Sequence, residues 1–342
     1  MRDKNQRGLF DEELRLEKLT KSGDPLVEMN KLIDWEMFRP LLTKVLKKEP
    51  KRPGGRPPYD YVMMFKILIL QRLYNLSDEQ MEYQINDRLS FLRFLGLNLS
   101  TDVPDRNTIW LFREKLINAK AVEKLFAKFD NFLEKQGVIA HEGSIVDATF
   151  LEVPRQRNNR EDNATIKSGS IPEGWEENPN KLSQKDTDAR WTKKNEEKHY
   201  GYKNHIKVDK KSKIIISYKT TNASVHDSQA LFDLLDEKDS NNELFADSAY
   251  SGKSIEELLS TRNIKNQINE KGYRGHPLTE EQKKENREKS KVRARVEHIF
   301  GFIKNSMKGS ESRLIGFKRN EAIIGLINFT YNICRSIQLA RV

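Results

Sequence analysis

Cysteine is almost absent from this sequence. One residue in 342, Cys334, excludes an intramolecular disulfide framework and any cysteine-based zinc cluster. Histidine is scarce as well, six in the whole chain, so zinc catalysis has little to stand on. No uninterrupted run of about 18 apolar residues occurs. The best stretch, Ala322 to Ala340, is broken by Asn328, Asn332, Arg335 and Gln338, and no membrane span is expected. The opening MRDKNQRGLFDEE lacks the apolar centre of a secretory signal. Neither a solenoid-length repeat nor a coiled-coil heptad is visible. These absences predict a soluble, cytoplasmic protein.

Charge is what the chain has in quantity. Charged residues reach 33% against 36% hydrophobic, which predicts long solvated stretches. Lys and Arg number 61 and Asp and Glu 51, a formal net charge of +10 that favours a polyanionic partner without naming one. The length suits about two domains.

Residues 1–136 read as all-helical. Leu26 to Leu46 carries apolar residues at helical spacing, interrupted at Pro40. A Pro- and Gly-rich basic loop follows, Lys47 to Asp60, with Arg56 in it; it either tracks phosphates or serves as a linker. Tyr61 to Tyr74 is an apolar helix, Ser77 with Gln80 is a capping box, another helix starts near Ser90, Asp105 caps NTIWLFREKL, and a further helix covers 121–136. In the 105–116 helix, Arg106, Asn107 and Arg113 suit base edges, whereas Ile109, Trp110 and Phe112 require burial, so recognition helix and bundle helix both remain open.

Beyond Gly137 the pattern is mixed α/β. Strands are expected at 143–153, 203–209, 214–221, 243–247 and 264–269, the second and third forming a hairpin. Residues 155–197 are polar and expected to be a loop or partly ordered insertion. Asp227 is expected to cap one helix, Ser254 with Glu257 to box another, and Thr279 with Gln282 to open a long helix reaching about Lys308. A last helix spans about 320–340.

Three carboxylates stand out by position. Asp147 lies inside the apolar SIVDATF, Asp247 ends the short strand in LFADSAYSG, and Glu297 edges the apolar face of RARVEHIFG. A charge among valines and isoleucines is costly unless it is paired or binds metal. Convergent carboxylates suit hard, oxygen-loving cations. Each residue alone has an ordinary reading: Asp247 as a turn former, Glu297 as a salt-bridge partner of Arg293 or Arg295, Asp147 as a paired core acid.

Seven segments in order resemble bacterial insertion-sequence DDE transposases, most closely the IS-five group of the IS-four-like set. They are GRPPYD with the helical stretch to Leu97, VPDRNTIWLFREKL, VDATF, DARWTKKNEEKHYGYKNHIKVD, ASVHDSQ, ADSAYSG and RARVEHIFGFIK. The resemblance implies an RNase H-like core, a mixed five-stranded sheet with flanking helices, preceded by the helical N-terminal domain. It divides the chain into 1–136, which binds terminal-repeat DNA, 137–310, the catalytic domain with its polar insertion at about 155–197, and 311–342, a C-terminal helix on the core. It assigns Asp147, Asp247 and Glu297 as catalytic metal ligands for two Mg2+ or Mn2+ ions. It implies cutting at transposon ends and joining of 3′-OH ends to target DNA. It also implies double-stranded DNA partners, a homo-oligomer in the DNA complex and nucleoid association. Around Glu297, Arg293 and Lys304 fit the family's Tyr-Arg-Glu-Lys signature, while Ser290 stands where relatives carry Tyr.

The 283–308 stretch holds nine Lys or Arg and three Glu, and at steps of 4 and 7 Arg293, Glu297 and Lys304 are expected on one side of a continuous helix. DNA contacts are expected from Arg293, Arg295, Lys304, Lys203, Arg106, Arg56 and Trp191. Trp191 and Trp175 either stack on an unpaired base or anchor the insertion. Two other functions stay open: a metal-dependent nuclease without strand transfer, and a non-catalytic DNA-binding regulator of transposase descent.

Overall fold

The computed structural model describes Gly8, residues 10–47, 57–194 and 196–341. The chain divides into two compact units between Ala121 and Val122.

The first unit is helical: α1 (Asp11–Lys21), α2 (Pro25–Leu32), α3 (Arg39–Leu46), α4 (Tyr61–Tyr74), α5 (Asp78–Asp87), α6 (Leu89–Leu95) and α7 (Arg106–Asn118). Its centre is α4, whose sequence YVMMFKILILQRLY is apolar nearly all round, so it is a buried helix rather than an amphipathic one. Trp35 packs within 6.3 Å of the Phe38 and Phe65 rings and 5.6 Å of Phe94. The Ser77–Gln80 capping box is present at α5, and Asp105 caps α7 by accepting from the Thr108 N–H. Arg113, a candidate for base contact by its sequence position, is buried and grips Asp78 with two bonds of 2.6 and 2.8 Å. A guanidinium committed in this bidentate way is a structural clamp between α5 and α7.

The second unit contains α8 (Ala121–Lys135, all but its first residue), β1 (Ser144–Glu152), α9 (Arg160–Lys167), α10 (Pro179–Ser183), β2 (Arg190–Lys194), β3 (Glu197–Asp209), β4 (Ile215–Asn222), α11 (Asp227–Leu234), β5 (Glu243–Ala246), α12 (Lys253–Thr261), β6 (Lys265–Ile268), α13 (Glu280–Arg293), α14 (Arg295–Gly301) and α15 (Phe317–Ala340). The sheet is mixed. β1 pairs antiparallel with β3 and parallel with β5, and β5 pairs parallel with β6. β4 lies antiparallel along residues 202–208 of β3, and β2 along 197–201.

Strand alternation sorts the helices. On β4, Ser217 and Lys219 reach α11 (to the Leu234 carbonyl at 3.0 Å and Asp233 at 2.9 Å), whereas Tyr218 meets Phe126 of α8. Val146 with Leu231, Leu234, Leu235, Leu244, Ile255 and Leu259 fills the core beneath α11 and α12. On the other face α15 docks through asparagines. Asn328 exchanges two bonds with Asn204 (2.8 and 3.0 Å), and Asn332 holds the Ile215 N–H and carbonyl (2.9 and 2.8 Å). The polar residues that interrupt this apolar run are therefore buried pins to the sheet. Among the described residues no helix is long and apolar enough to cross a membrane.

Several expectations need correction. The division falls at 121/122 and not at 136/137, because Phe126 and Phe129 of α8 pack on Tyr218 and Phe329 of the sheet unit. The same unit includes α15, which packs on the core as expected of the C-terminal helix. The 155–197 insertion is built: it holds α9, α10 and β2, anchored by Trp175 at 1% exposure, and β2 makes the sheet six-stranded rather than five. Polar composition hid β2 because both its faces are largely solvated. His226, not Asp227, caps α11, and α12 starts at Lys253 after Gly252, leaving Ser254 inside it. The helix expected to run to Lys308 breaks at Ala294 and ends in a π-helical turn, Phe302–Ser306.

Asp130 of α8 has a buried carboxylate oxygen without a partner, and burial, helped by the Glu134 charge one turn on, pushes it up to about 7. A carboxyl raised on folding supports stability in full at low pH, and that support is lost as pH rises to about 7. Asp130→Asn should therefore be more stable than wild type at pH 8, by about 1–2 kcal/mol, with the gap closing toward pH 4. Urea unfolding across that range measures it; a gap that does not change with pH contradicts this.

Candidate active site

Asp147 is the fourth residue of β1. Its register partner is Ile206, on the α15 side of the sheet, opposite to Val146. It is 6% exposed. One carboxylate oxygen accepts from the Ala148 N–H at 2.7 Å and the other from Arg293 Nη1 at 2.8 Å. Burial pushes Asp147 up to about 6; the Ala148 and Arg293 donors oppose the rise, the Asp247 charge adds to it, and the Lys194 charge opposes it.

Asp247 reaches the same place by a different strand. β1 and β5 pair as Ser144 with Leu244 and Ile145 with Phe245. Extending that register by two residues sets Asp147 beside Asp247. Asp247 leaves the strand there and caps the short turn Ser248–Tyr250, accepting from the Ala249 N–H at 2.9 Å. Its turn-forming role and its place next to Asp147 are compatible, since a carboxylate has a second oxygen.

Glu297 comes from the helical side. The break at Ala294 leaves Arg293 closing α13 and Glu297 in the first turn of α14, and Arg293 Nη1 stands 3.6 Å from Glu297. One guanidinium thus joins the buried strand carboxylate to an exposed helical one. Among the described residues no three His, Cys, Asp or Glu side chains stand close enough as they are to ligate one ion. The donor set nevertheless fits a hard cation: carboxylate oxygens only, one deeply buried, two adjacent by strand register, and a positive charge already drawn to two of them.

Residues 140–333 match the family model described as Transposase DDE domain, and residues 14–115 match Transposase domain (DUF772). The chain belongs to the DDE transposase family. It is a DNA transposase of a divalent-metal-dependent polynucleotidyl transferase class, with a mixed α/β core of RNase H-like type. A cryo-EM structure of piggyBac transposase, in a synaptic complex with hairpin DNA, is similar at a TM-score of 0.45 and 13% identity, over 89% of this chain and 74% of that one.

The remaining expected DNA-contact residues of this transposase are scattered in their circumstances. Arg295 is exposed and donates to the Lys210 carbonyl at 2.8 Å. Lys304 is exposed on the π-helical turn, where the wider winding removes the simple one-sided alignment with Arg293 and Glu297. Lys203 is a correction: it is 8% exposed and bound to Asp227 at 2.8 Å and the Val225 carbonyl at 2.7 Å, so its charge is spent inside the protein. Arg106 is exposed, 3.5 Å from Glu79. Trp191 is 48% exposed on β2 with the Arg155 guanidinium 5.3 Å from its ring, while Trp175 is the buried anchor of the insertion. Arg56 lies outside the described residues. Ser290 accepts from Asn269 at 2.9 Å and ties α13 to the end of β6.

Two features escaped sequence reasoning. Tyr250, three residues after Asp247, is fully buried, and its hydroxyl has no partner while lying in the field of Asp227, Asp147 and Asp247. The second is the fold-back of the β2–β3 hairpin. His199 stacks on Phe150 at 4.0 Å and 11°, and bonds Glu152 at 2.9 Å. Gly201, at φ +145°, allows this, because a Cβ there would collide with the Leu151 carbonyl. Gly201→Ala should cost more than about 1 kcal/mol and raise amide hydrogen exchange across residues 190–201. Unchanged exchange there contradicts the role given to Gly201.

Proposed function

We propose that this transposase cuts DNA at the ends of an insertion sequence of the IS-five group and joins the 3′-OH ends to target DNA, using Asp147, Asp247 and Glu297 as its metal ligands. The observation that carries the reading is the Arg293 guanidinium shared by Asp147 and Glu297, at 2.8 and 3.6 Å, beside a strand register that sets Asp247 next to Asp147. Asp147 is buried and like-charged neighbours repel it, so a cation between the carboxylates favours their ionising together. Two Mg2+ or Mn2+ ions in such a site supply charge neutralisation at the phosphoryl oxygens and a nucleophile active at neutral pH.

The chain's own groups do the rest. Asp147, held by the Ala148 N–H, has a fixed direction and contributes a rigid ligand. Asp247, fixed by its capping bond, offers the second. Glu297, exposed on α14, can adjust to DNA and close the set. Arg293 has donors beyond those on the carboxylates, and its planar fork suits a scissile-strand phosphate. Water serves as the first nucleophile and a DNA 3′-OH as the second. The helical unit binds terminal inverted repeats, with the exposed Arg106 on α7 among its contacts, and a homo-oligomer holds two ends together.

The test uses the full chain, a duplex carrying the sequence that flanks its own reading frame, and a target plasmid, with Mg2+, Mn2+ or EDTA. Wild type should give metal-dependent cut and joined products. Asp147→Asn and Asp247→Asn should each lose at least about a hundredfold in cutting while binding the duplex with unchanged affinity. Cutting that survives in either variant removes that residue from the site. Cutting without any joined product favours a nuclease.

A further inference from the structure

The sheet has an edge that its own chain leaves open. β2 and β4 lie in line along one edge of β3, opposite 197–201 and 202–208, and among the described residues neither has a strand on its outer side. The Gly201 carbonyl accepts from the Ala223 N–H at 3.0 Å on that edge, while the Tyr200 carbonyl accepts from the Val153 N–H at 3.1 Å on the other. Alternation then turns the backbone groups of Tyr218 and Thr220 on β4, and of Trp191 and Lys193 on β2, outward. Unpaired N–H and C=O groups in a row are a template for another strand.

The two strands differ in charge. Residues 216–220 of β4 line a groove of about 480 Å³ with Glu123 and Asp130 of α8, Asp233 of α11 and Glu321 of α15. Lys219, the cation among them, is held by Asp233 at 2.9 Å. Two buried oxygens at this groove, Asp130 Oδ1 and Thr220 Oγ1, have no partner among the described residues, and Thr220 is only 2% exposed. β2 is the opposite: it reads RWTKK, holds no acid and exposes both lysines. Lys193 bonds Glu196 of the adjoining turn at 2.6 Å, a solvated pair of little strength. The open edge thus carries acid around one strand and base on the other.

A two-fold arrangement satisfies both strands at once. β2 and β4 run in the same direction, since both are antiparallel to β3. A two-fold axis normal to the sheet at their junction reverses that direction and sets each copy's β2 against the other's β4. The faces of the sheet keep their identity under this rotation. Lys193 shares the face of Tyr218, which meets α8, and Lys194 the face of Lys219, which meets α11. One lysine therefore approaches Glu123 and Asp130, and the next approaches Asp233. Pairing β4 with β4 would instead confront two acidic rims.

We propose that two copies of this chain join through this edge, β2 of each adding as a strand beside β4 of the other. This deepens the reading of a homo-oligomer that holds two DNA ends, and rests on it.

Sedimentation velocity on the full chain, free and with the duplex carrying the flanking sequence in Ca2+, tests it. DNA-free wild type should sediment as a dimer that weakens as salt rises, with amide exchange slowed in 190–194 and 216–222 together. Lys193→Glu and Glu123→Lys should each weaken the dimer at least about tenfold. Both changes in one chain should restore it to within about threefold of wild type. Lys265→Glu, exposed on β6 at the far edge, should match wild type. DNA-free wild type found as a single copy, or a dimer indifferent to both reversals, overturns this interface; a dimer on the duplex in either case leaves the oligomer reading standing. A single copy on the duplex as well strikes that reading itself.

Discussion

The arrangement of this transposase depends on one electrostatic problem: a carboxylate, Asp147, set inside an apolar strand. An ionised group there loses its hydration, and burial pushes it up to about 6. The structure answers with a backbone donor one residue away and with Arg293 from a helix 146 positions distant in sequence. That second partner is the last residue of α13. Because Arg293 closes one helix and Glu297 opens the next, the compensation of Asp147 also brings in the third carboxylate.

The sheet contributes the other half. The parallel register of β1 with β5, continued two residues beyond Ile145 and Phe245, brings Asp247 level with Asp147. β1 is thus constrained on every side: β3 along one edge, β5 along the other, the α11–α12 core behind Val146 and α15 across the face that Asp147 shares. A rigid strand carrying a costly charge is a sound foundation for metal chemistry, since precision of ligand placement comes from the scaffold. Adaptability is left to Glu297, exposed on α14.

Much of this was legible in the sequence, and the failures have physical causes. The apolar runs around Asp147 and Asp247 marked their strands, and the Ser77 and Thr279 capping boxes marked their helices, because those signals are local. β2 was missed since a strand solvated on both faces has no alternation to detect. Lys203 was expected to contact DNA; Asp227, 24 residues away, captures it, a pairing that only the tertiary fold reveals. The helix through Glu297 looked continuous because no Pro or Gly interrupts it at Ala294, where the structure breaks it. The 100-residue spacing of the two aspartates had no meaning until strand pairing supplied the register.

The most direct measurement is anomalous diffraction from crystals of the transposase grown with duplex DNA and Mn2+. Manganese is expected between Asp147 and Asp247, within coordination distance of a Glu297 oxygen, with the Arg293 guanidinium moved off Asp147. Manganese bound elsewhere, or Arg293 still bonded to Asp147 in a DNA-loaded complex, would contradict this site.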